Sequence, residues 1–316
     1  AGRAFADLAE VMVRAILGRV TAEFELRHGR VPGGRICVLG MGRLGSRELT
    51  AGSDLDLILL YDHASDAEYS DGQRPLAASQ YYIRLTQRLI AAMSAPTAEG
   101  VIYPLDFRLR PSGNAGPLAT PLQSFVRYQE EEAWTWERQA LTRARVVAGD
   151  AGLAELIETA IRKLLAAPSD PAKLSADVRE MRALIEKEKR TSNPFEVKTA
   201  KGGLVDIEFI AQWCVLKSGT GGMAGRPTGT IEMLGSARDD IPPADLDALV
   251  SACEFYSGVQ QVLRLCLDEP FVPSSAPPGL AAIVCDLIDM PDIRTVEGAL
   301  KEHQRNVREI FDRLLA

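Results

Sequence analysis

Apolar residues recur at helical spacing over residues 3 to 27, through Phe5, Leu8, Val11, Met12, Ala15, Ile16 and Leu17, until Val31-Pro-Gly-Gly34 ends the segment. The pattern then shortens. Arg35 to Leu39 and Leu55 to Tyr61 read as two apolar strands, with a helical turn at Gly45 to Thr50 between them. A polar loop over His63 to Gly72 follows, and Leu76 to Met93 predicts an amphipathic helix carrying Tyr82, Leu85, Leu89 and Ala92 on one face. From Gly100 to Arg110, Val101, Tyr103, Leu105, Phe107 and Leu109 alternate with Ile102, Asp106, Arg108 and Arg110, which predicts a third strand. Alternate strand residues share a face, so this strand aligns Asp106, Arg108 and Arg110.

Beyond residue 121 strand signals fade. Helices are expected near 121 to 146, 152 to 166, 203 to 217, 227 to 237, 243 to 267, 279 to 289 and 294 to 315. A further stripe runs through Leu174, Val178, Met181 and Ile185, with Arg179, Glu180, Arg182 and Glu186 outside it. Lys217 to Gly229 holds five glycines and Pro270 to Gly279 four prolines, so both are expected to be loops. The fold class is therefore α+β: a small sheet with helices over residues 1 to 150, then an all-helical domain over 151 to 316.

Composition narrows the chemistry. At 46% hydrophobic and 25% charged, the chain has the mixture of a globular protein. It shows neither an apolar run of about 20 residues nor a signal-peptide layout, so the expected compartment is the cytoplasm. Cys37, Cys214, Cys253, Cys266 and Cys285 are scattered within apolar segments and read as buried free thiols. With three histidines in the chain, a His-based mechanism is disfavoured. A net charge of −7 lacks the basic face that nucleic-acid binding needs, so any nucleotide handled is a small one.

The stretch from Gly40 to Tyr61 concentrates the chemistry. Asp54 and Asp56 point to one face of their strand while Leu55, Leu57 and Leu59 turn into a core. Two such charges about 4 Å apart repel by roughly 4 kcal/mol at an effective dielectric of ~20, a cost that a proton, a cationic side chain or a divalent metal offsets. Mg²⁺ suits a glycine turn placed beside them. Asp-x-Asp alone also marks the wet face of many sheets; the glycine turn and the Asp106 strand favour a metal triad of Asp54, Asp56 and Asp106 holding two Mg²⁺ ions. Gly42, Gly45 and Ser46 precede a helical turn whose amides suit phosphate, although a plain tight turn has the same composition. Ser53 supplies a hydroxyl to phosphate or caps the strand. Arg108 and Arg110 are placed to clamp a triphosphate, unless one of them neutralises the carboxylates. Trp134, Trp136 and Glu137 read as a core helix or an active-site wall. Lys198, Gly202, Gly203, Asp206 and Glu208 gather at a helix start, where a buried acid would need a partner such as Lys198.

Gly40-Met-Gly-Arg-Leu-Gly-Ser-Arg-Glu-Leu49, followed by Ser53-Asp-Leu-Asp-Leu57, resembles the nucleotidyltransferase core of the bifunctional glutamine synthetase adenylyltransferase/adenylyl-removing enzyme family. The resemblance continues through Pro96-Thr-Ala-Glu-Gly100, Asp106-Phe-Arg-Leu-Arg-Pro-Ser-Gly113, the segment Glu132 to Arg145, and Lys201-Gly-Gly-Leu-Val-Asp-Ile-Glu-Phe209. It departs at Arg43, where the family usually has Lys, and at Ser46, where it has Gly. The family carries two homologous halves, and Ala-Trp-Thr-Trp-Glu with Arg-Leu-Arg-Pro-Ser-Gly is similar to the C-terminal, adenylylating one. The resemblance implies a polymerase-beta-like nucleotidyltransferase fold. It also implies transfer of AMP from ATP to a tyrosine hydroxyl of glutamine synthetase, with the PII signal protein and glutamine as effectors. The rival half would remove AMP by phosphorolysis, giving ADP. A non-catalytic regulatory module would show a degraded acid triad.

Overall fold

Strand β2, Leu55–Asp62, is the axis of a five-stranded mixed sheet in a computed structural model that describes residues 1–98, 100–267 and 269–316. Glu99 of the Pro96 to Gly100 motif therefore lies outside the described residues. On one side of β2 lies antiparallel β1, Arg35–Gly40, and beyond it antiparallel β5, Arg145–Gly149. The other edge of β2 is shared by two short parallel strands. β3, Leu105–Asp106, pairs with Leu55 and Asp56, and β4, Ala119–Pro121, pairs with Leu59 to Tyr61.

Leu55, Leu57, Leu59 and Tyr61 alternate into one core with Val38 and Val147, lined also by Leu85 and Leu89 of α3, Ala78–Met93. From α1, Gly2–His28, the small Ala6 and Ala9 join Val13, Leu17 and Phe24 in that core, while the larger Leu8 and Val11 are exposed. Alanines let the helix backbone approach closely. Ile58 and Leu60 on the opposite face of β2 are buried as well, so the strand is apolar on both faces except at half-buried Asp56 and at half-buried Asp62 at its end. Each leucine fully buried in this way stabilises the sheet by about 1.5–3 kcal/mol.

The expected strand over Gly100 to Arg110 is shorter in the structure, two residues long, because the chain leaves the ladder at Phe107. Pro111 has no N–H to pair, and Ser112 and Gly113 both adopt left-handed backbone, at φ 60° and 54°. The chain then rejoins β2 as β4. Likewise the helix expected over 121 to 146 divides into α4, Leu122–Glu131, and α5, Thr135–Thr142, before β5. A short apolar run such as Val146 to Ala148 carries no periodicity that separates strand from helix end. The helical turn expected at Gly45 to Thr50 lies earlier, as α2, Gly42–Gly45.

The chain divides into two compact units, one of Gly2–Leu165 with Gly222–Ala224, the other of Ala166–Gly221 and Gly225–Ala316 with Ala1. Helix α6, Ala151–Ala166, thus falls almost wholly with the sheet. In the second unit the described elements are α7 (Pro171–Glu188), α8 (Leu204–Ser218), α9 (Thr230–Ser236), α10 (Pro243–Cys266), α11 (Pro278–Leu287) and α12 (Ile293–Leu314), with two short 3-10 turns. Leu174 and Val178 are buried on α7 as expected, but so is Arg182, which the stripe had placed outside. Among the described residues no helix is long and apolar enough to cross a membrane.

Candidate active site

The parallel register of β2 and β3 sets Asp56 directly beside Asp106, and Asp54 precedes Asp56 by two residues at the strand entrance. The ladder is fixed by the Met41 amide donating to the Asp56 carbonyl at 2.9 Å and the Leu55 amide donating to the Pro104 carbonyl at 2.8 Å. Gly42 sits against the acid: it has φ +50°, and a Cβ there would lie 2.3 Å from Asp56 Oδ2. Any side chain at 42 would displace that carboxylate, which explains the glycine.

Arg108 closes over the acids. Its amide donates to Asp106 Oδ1 at 2.8 Å and its Nε to Oδ2 at 2.7 Å, and Nη2 reaches the same oxygen. This pairing holds the Asp106 carboxyl below its ordinary range. Asp56 and Asp54 lie close enough to add to the field on the Arg108 guanidinium, which is 72% exposed. Arg110 is placed differently: it is buried, its Nη1 donating to the Phe107 carbonyl at 2.7 Å and its Nε to the Gly116 carbonyl at 3.1 Å. With the strand ended at Asp106, the two arginines no longer share its face. Arg108 meets the acids, and Arg110 holds the loop that carries it.

The glycine turn is a braced structure. Gly45 packs so tightly that a Cβ would lie 2.0 Å from the Arg143 carbonyl. Ser46 is buried, and its hydroxyl accepts from Arg143 Nη2 at 2.7 Å. Ser53 Oγ accepts from the Thr50 amide at 3.0 Å and shares a 2.8 Å hydrogen bond with the Thr50 hydroxyl, within the bend that precedes β2. Arg145 donates from Nε to the Gly45 carbonyl at 3.1 Å and from Nη2 to the Leu44 carbonyl at 3.2 Å, and its guanidinium pairs with buried Glu10 of α1. Arg143 in turn pairs with Glu48 at 2.8 Å. Sequence reasoning missed Glu10, Arg143 and Arg145. Their sequence separation from the turn leaves no periodic signal, and the only pointer was that both arginines end the Glu132 to Arg145 motif.

Trp134 and Trp136 are not core residues: they are 71% and 37% exposed. Glu137 is buried instead, accepting from the Trp134 amide at 3.0 Å and from the Tyr128 hydroxyl at 2.9 Å, so it caps the start of α5. In the helical unit Asp206 is fully buried, and its partner is Arg182, whose Nε donates to Oδ2 at 2.8 Å. Burial pushes the Asp206 carboxyl up, opposed by Arg182 and Arg308. Four of the five cysteines are buried, and Cys266 is exposed. Burial pushes the Cys37 and Cys214 thiols to about 12.

An acid pair in register on two strands thus stands beside a braced glycine turn. A family model described as glutamate-ammonia ligase adenylyltransferase matches residues 1–160. The chain is 52% identical over 316 residues to the bifunctional glutamine synthetase adenylyltransferase/adenylyl-removing enzyme of Brucella suis biovar 1 (strain 1330), covering 100% of this chain and 32% of the relative. It is 51% identical over 320 residues to the protein of the same name from Mesorhizobium japonicum, and 47% over 319 residues to that of Rhizobium meliloti, with the same coverage. The chain belongs to the glutamate-ammonia ligase adenylyltransferase family. It spans about a third of the length of the curated relatives it matches.

Proposed function

We propose that the sheet unit is a nucleotidyltransferase of the polymerase-beta-like class that moves AMP from ATP to a tyrosine hydroxyl of glutamine synthetase, releasing pyrophosphate. The observation that carries this reading is the register that pairs Asp56 with Asp106, with Gly42 pressed against Asp56. Asp54, Asp56 and Asp106 would hold Mg²⁺, which is hard and oxygen-seeking, as carboxylates are. Among the described residues no three His, Cys, Asp or Glu side chains stand close enough to hold a metal as they are. Arg108 pairs with Asp106 in its place, so a cation is already favoured at this point. The Arg108 head is exposed, and turning outward frees Asp106 and offers the guanidinium to nucleotide phosphates. Bound Mg²⁺ would neutralise phosphate charge and lower the pKa of the attacking hydroxyl. Asp106 then takes the tyrosine proton, and the turn at Gly42, Gly45 and Ser46, with Ser53 fixing the bend that follows it, shapes the floor on which the phosphates lie, while Arg110 holds the loop that carries Arg108.

The relatives' shared name covers both addition and removal of the adenylyl group, and the motif wording favours addition here. The helical unit is then the accessory domain, and PII and glutamine are its expected effectors. Incubation with labelled ATP, Mg²⁺ and purified glutamine synthetase should place labelled AMP on the synthetase. Formation of ADP from adenylylated synthetase and phosphate, with no forward transfer, would assign the removing half instead.

A further inference from the structure

The Lys201-Gly-Gly motif has no part in the chemistry above, yet the helical unit builds it with unusual care. Arg182, 1% exposed, donates to Asp206 and also to the Thr199 and Ala200 carbonyls, at 3.3 and 3.1 Å. Asp206 Oδ2 accepts from the Gly202 amide at 3.2 Å, and the Tyr256 hydroxyl donates to the Gly202 carbonyl at 3.0 Å. Gly202 itself, at φ +75°, admits no side chain, since a Cβ would fall 1.7 Å from the Gln304 carbonyl. Burying two full charges is expensive unless a close hydrogen-bonded network satisfies them. Here it fixes the backbone from Thr199 to Gly203.

That backbone forms one wall of a cleft of about 770 Å³, the size of a small-ligand site. Lys187, Lys189, Arg190 and Lys201 line it, with the hydroxyls of Ser192 and Thr199 between them. None of these four cations has an ion pair or side-chain hydrogen bond among the described residues. The one acid on the lining, Glu186, is engaged by Arg182 and Arg308 at 3.8 and 3.3 Å. Lys187 also lies in the last turn of α7, where the helix dipole favours a cation. That account does not extend to Arg190 and Lys201, which lie off the helix. We propose that this cleft binds a phosphate-bearing small ligand, the phosphate chain of a nucleotide or free pyrophosphate, at a site of its own in the helical unit. Lys and Arg charges interleaved with hydroxyl donors match phosphate oxygens and discriminate against apolar or cationic ligands.

The test is calorimetric titration of the full chain with inorganic pyrophosphate in the absence of divalent metal, then with ATP as competitor. Pyrophosphate should bind, and Arg190→Ala with Lys201→Ala should weaken it by about tenfold or more, both in the wild type and in an Arg108→Ala background that lacks the phosphate contact of the sheet unit. Both substituted side chains are exposed, and Lys187→Ala with Lys189→Ala gives a second pair should the first disturb folding. Competition by ATP assigns a nucleotide phosphate chain, and its failure beside retained pyrophosphate binding assigns the free anion. Absence of pyrophosphate binding, binding insensitive to both pairs, or loss of all binding in Arg108→Ala alone would overturn the proposal.

Discussion

Arg108 holds Asp106 with both its backbone amide and its guanidinium, the Nε at 2.7 Å from Oδ2, two residues beyond it in the loop that follows β3. The pair is a reversible stopper on the acid cluster: the arginine offsets the repulsion among the carboxylates and is exposed enough to move. An Asp106 titration by carbon NMR should therefore lie below the ordinary carboxylate range, and Arg108→Ala should raise it. Because the folded value is depressed, the pairing stabilises the fold above the ordinary carboxylate pKa of about 3.9 and is lost as pH falls through the folded value.

Asp56→Asn and Asp106→Asn should each lower adenylyl transfer at least about 100-fold, roughly 2.7 kcal/mol of barrier, with far-UV circular dichroism unchanged. Turnover near wild type in either variant would end the metal-triad proposal. Asp54→Asn should behave the same way.

Arg108→Ala and Arg110→Ala should separate. The first should weaken ATP binding by the roughly 1.5–3 kcal/mol of a charge-assisted hydrogen bond and lower the melting temperature only slightly, by the small contribution of an ion pair whose arginine is exposed. The second should lower the melting temperature, because Arg110 is buried and its two backbone acceptors lose their donor. Equal ATP affinity in wild type and Arg108→Ala would remove the phosphate contact.

Glu10→Gln should loosen the glycine turn through Arg145, its side chain being only 9% exposed and that of Arg145 19%. A largely buried pair broken on one side costs about 3–5 kcal/mol, and part of that should appear as a raised KM for ATP as the turn loses its brace. Unchanged stability and KM would show that the Leu44 and Gly45 carbonyls need no such support.

Asp206→Ala should destabilise the helical unit by about 3–5 kcal/mol, since it strands the buried Arg182 charge. Chemical denaturation measures this directly. A variant as stable as wild type yet defective on glutamine synthetase would mean that Asp206 acts on the protein substrate instead.

The sequence by itself determined what one element can show. The period-2 pattern of Leu55 to Tyr61 made it a strand with its leucines in the core and Asp54 and Asp56 on one face, and helical periodicity located α6 to α12 within a few residues. Motif resemblance supplied the family. Tertiary structure decided what depends on neighbours distant in the chain. Only the pairing of β3 with β2 brings Asp106 to Asp56, and only the turn over Phe107 to Arg110, where the Arg110 amide donates to the Phe107 carbonyl, separates Arg108 from Arg110, where alternation alone had aligned them. Arg145 reaches Glu10 across 135 residues, and Arg182 is buried because Asp206 waits on another helix, 24 residues on. A side chain's own position in a periodic pattern tells which way it points, but whether a charge there meets water or a buried counter-charge is set by the element packed against it.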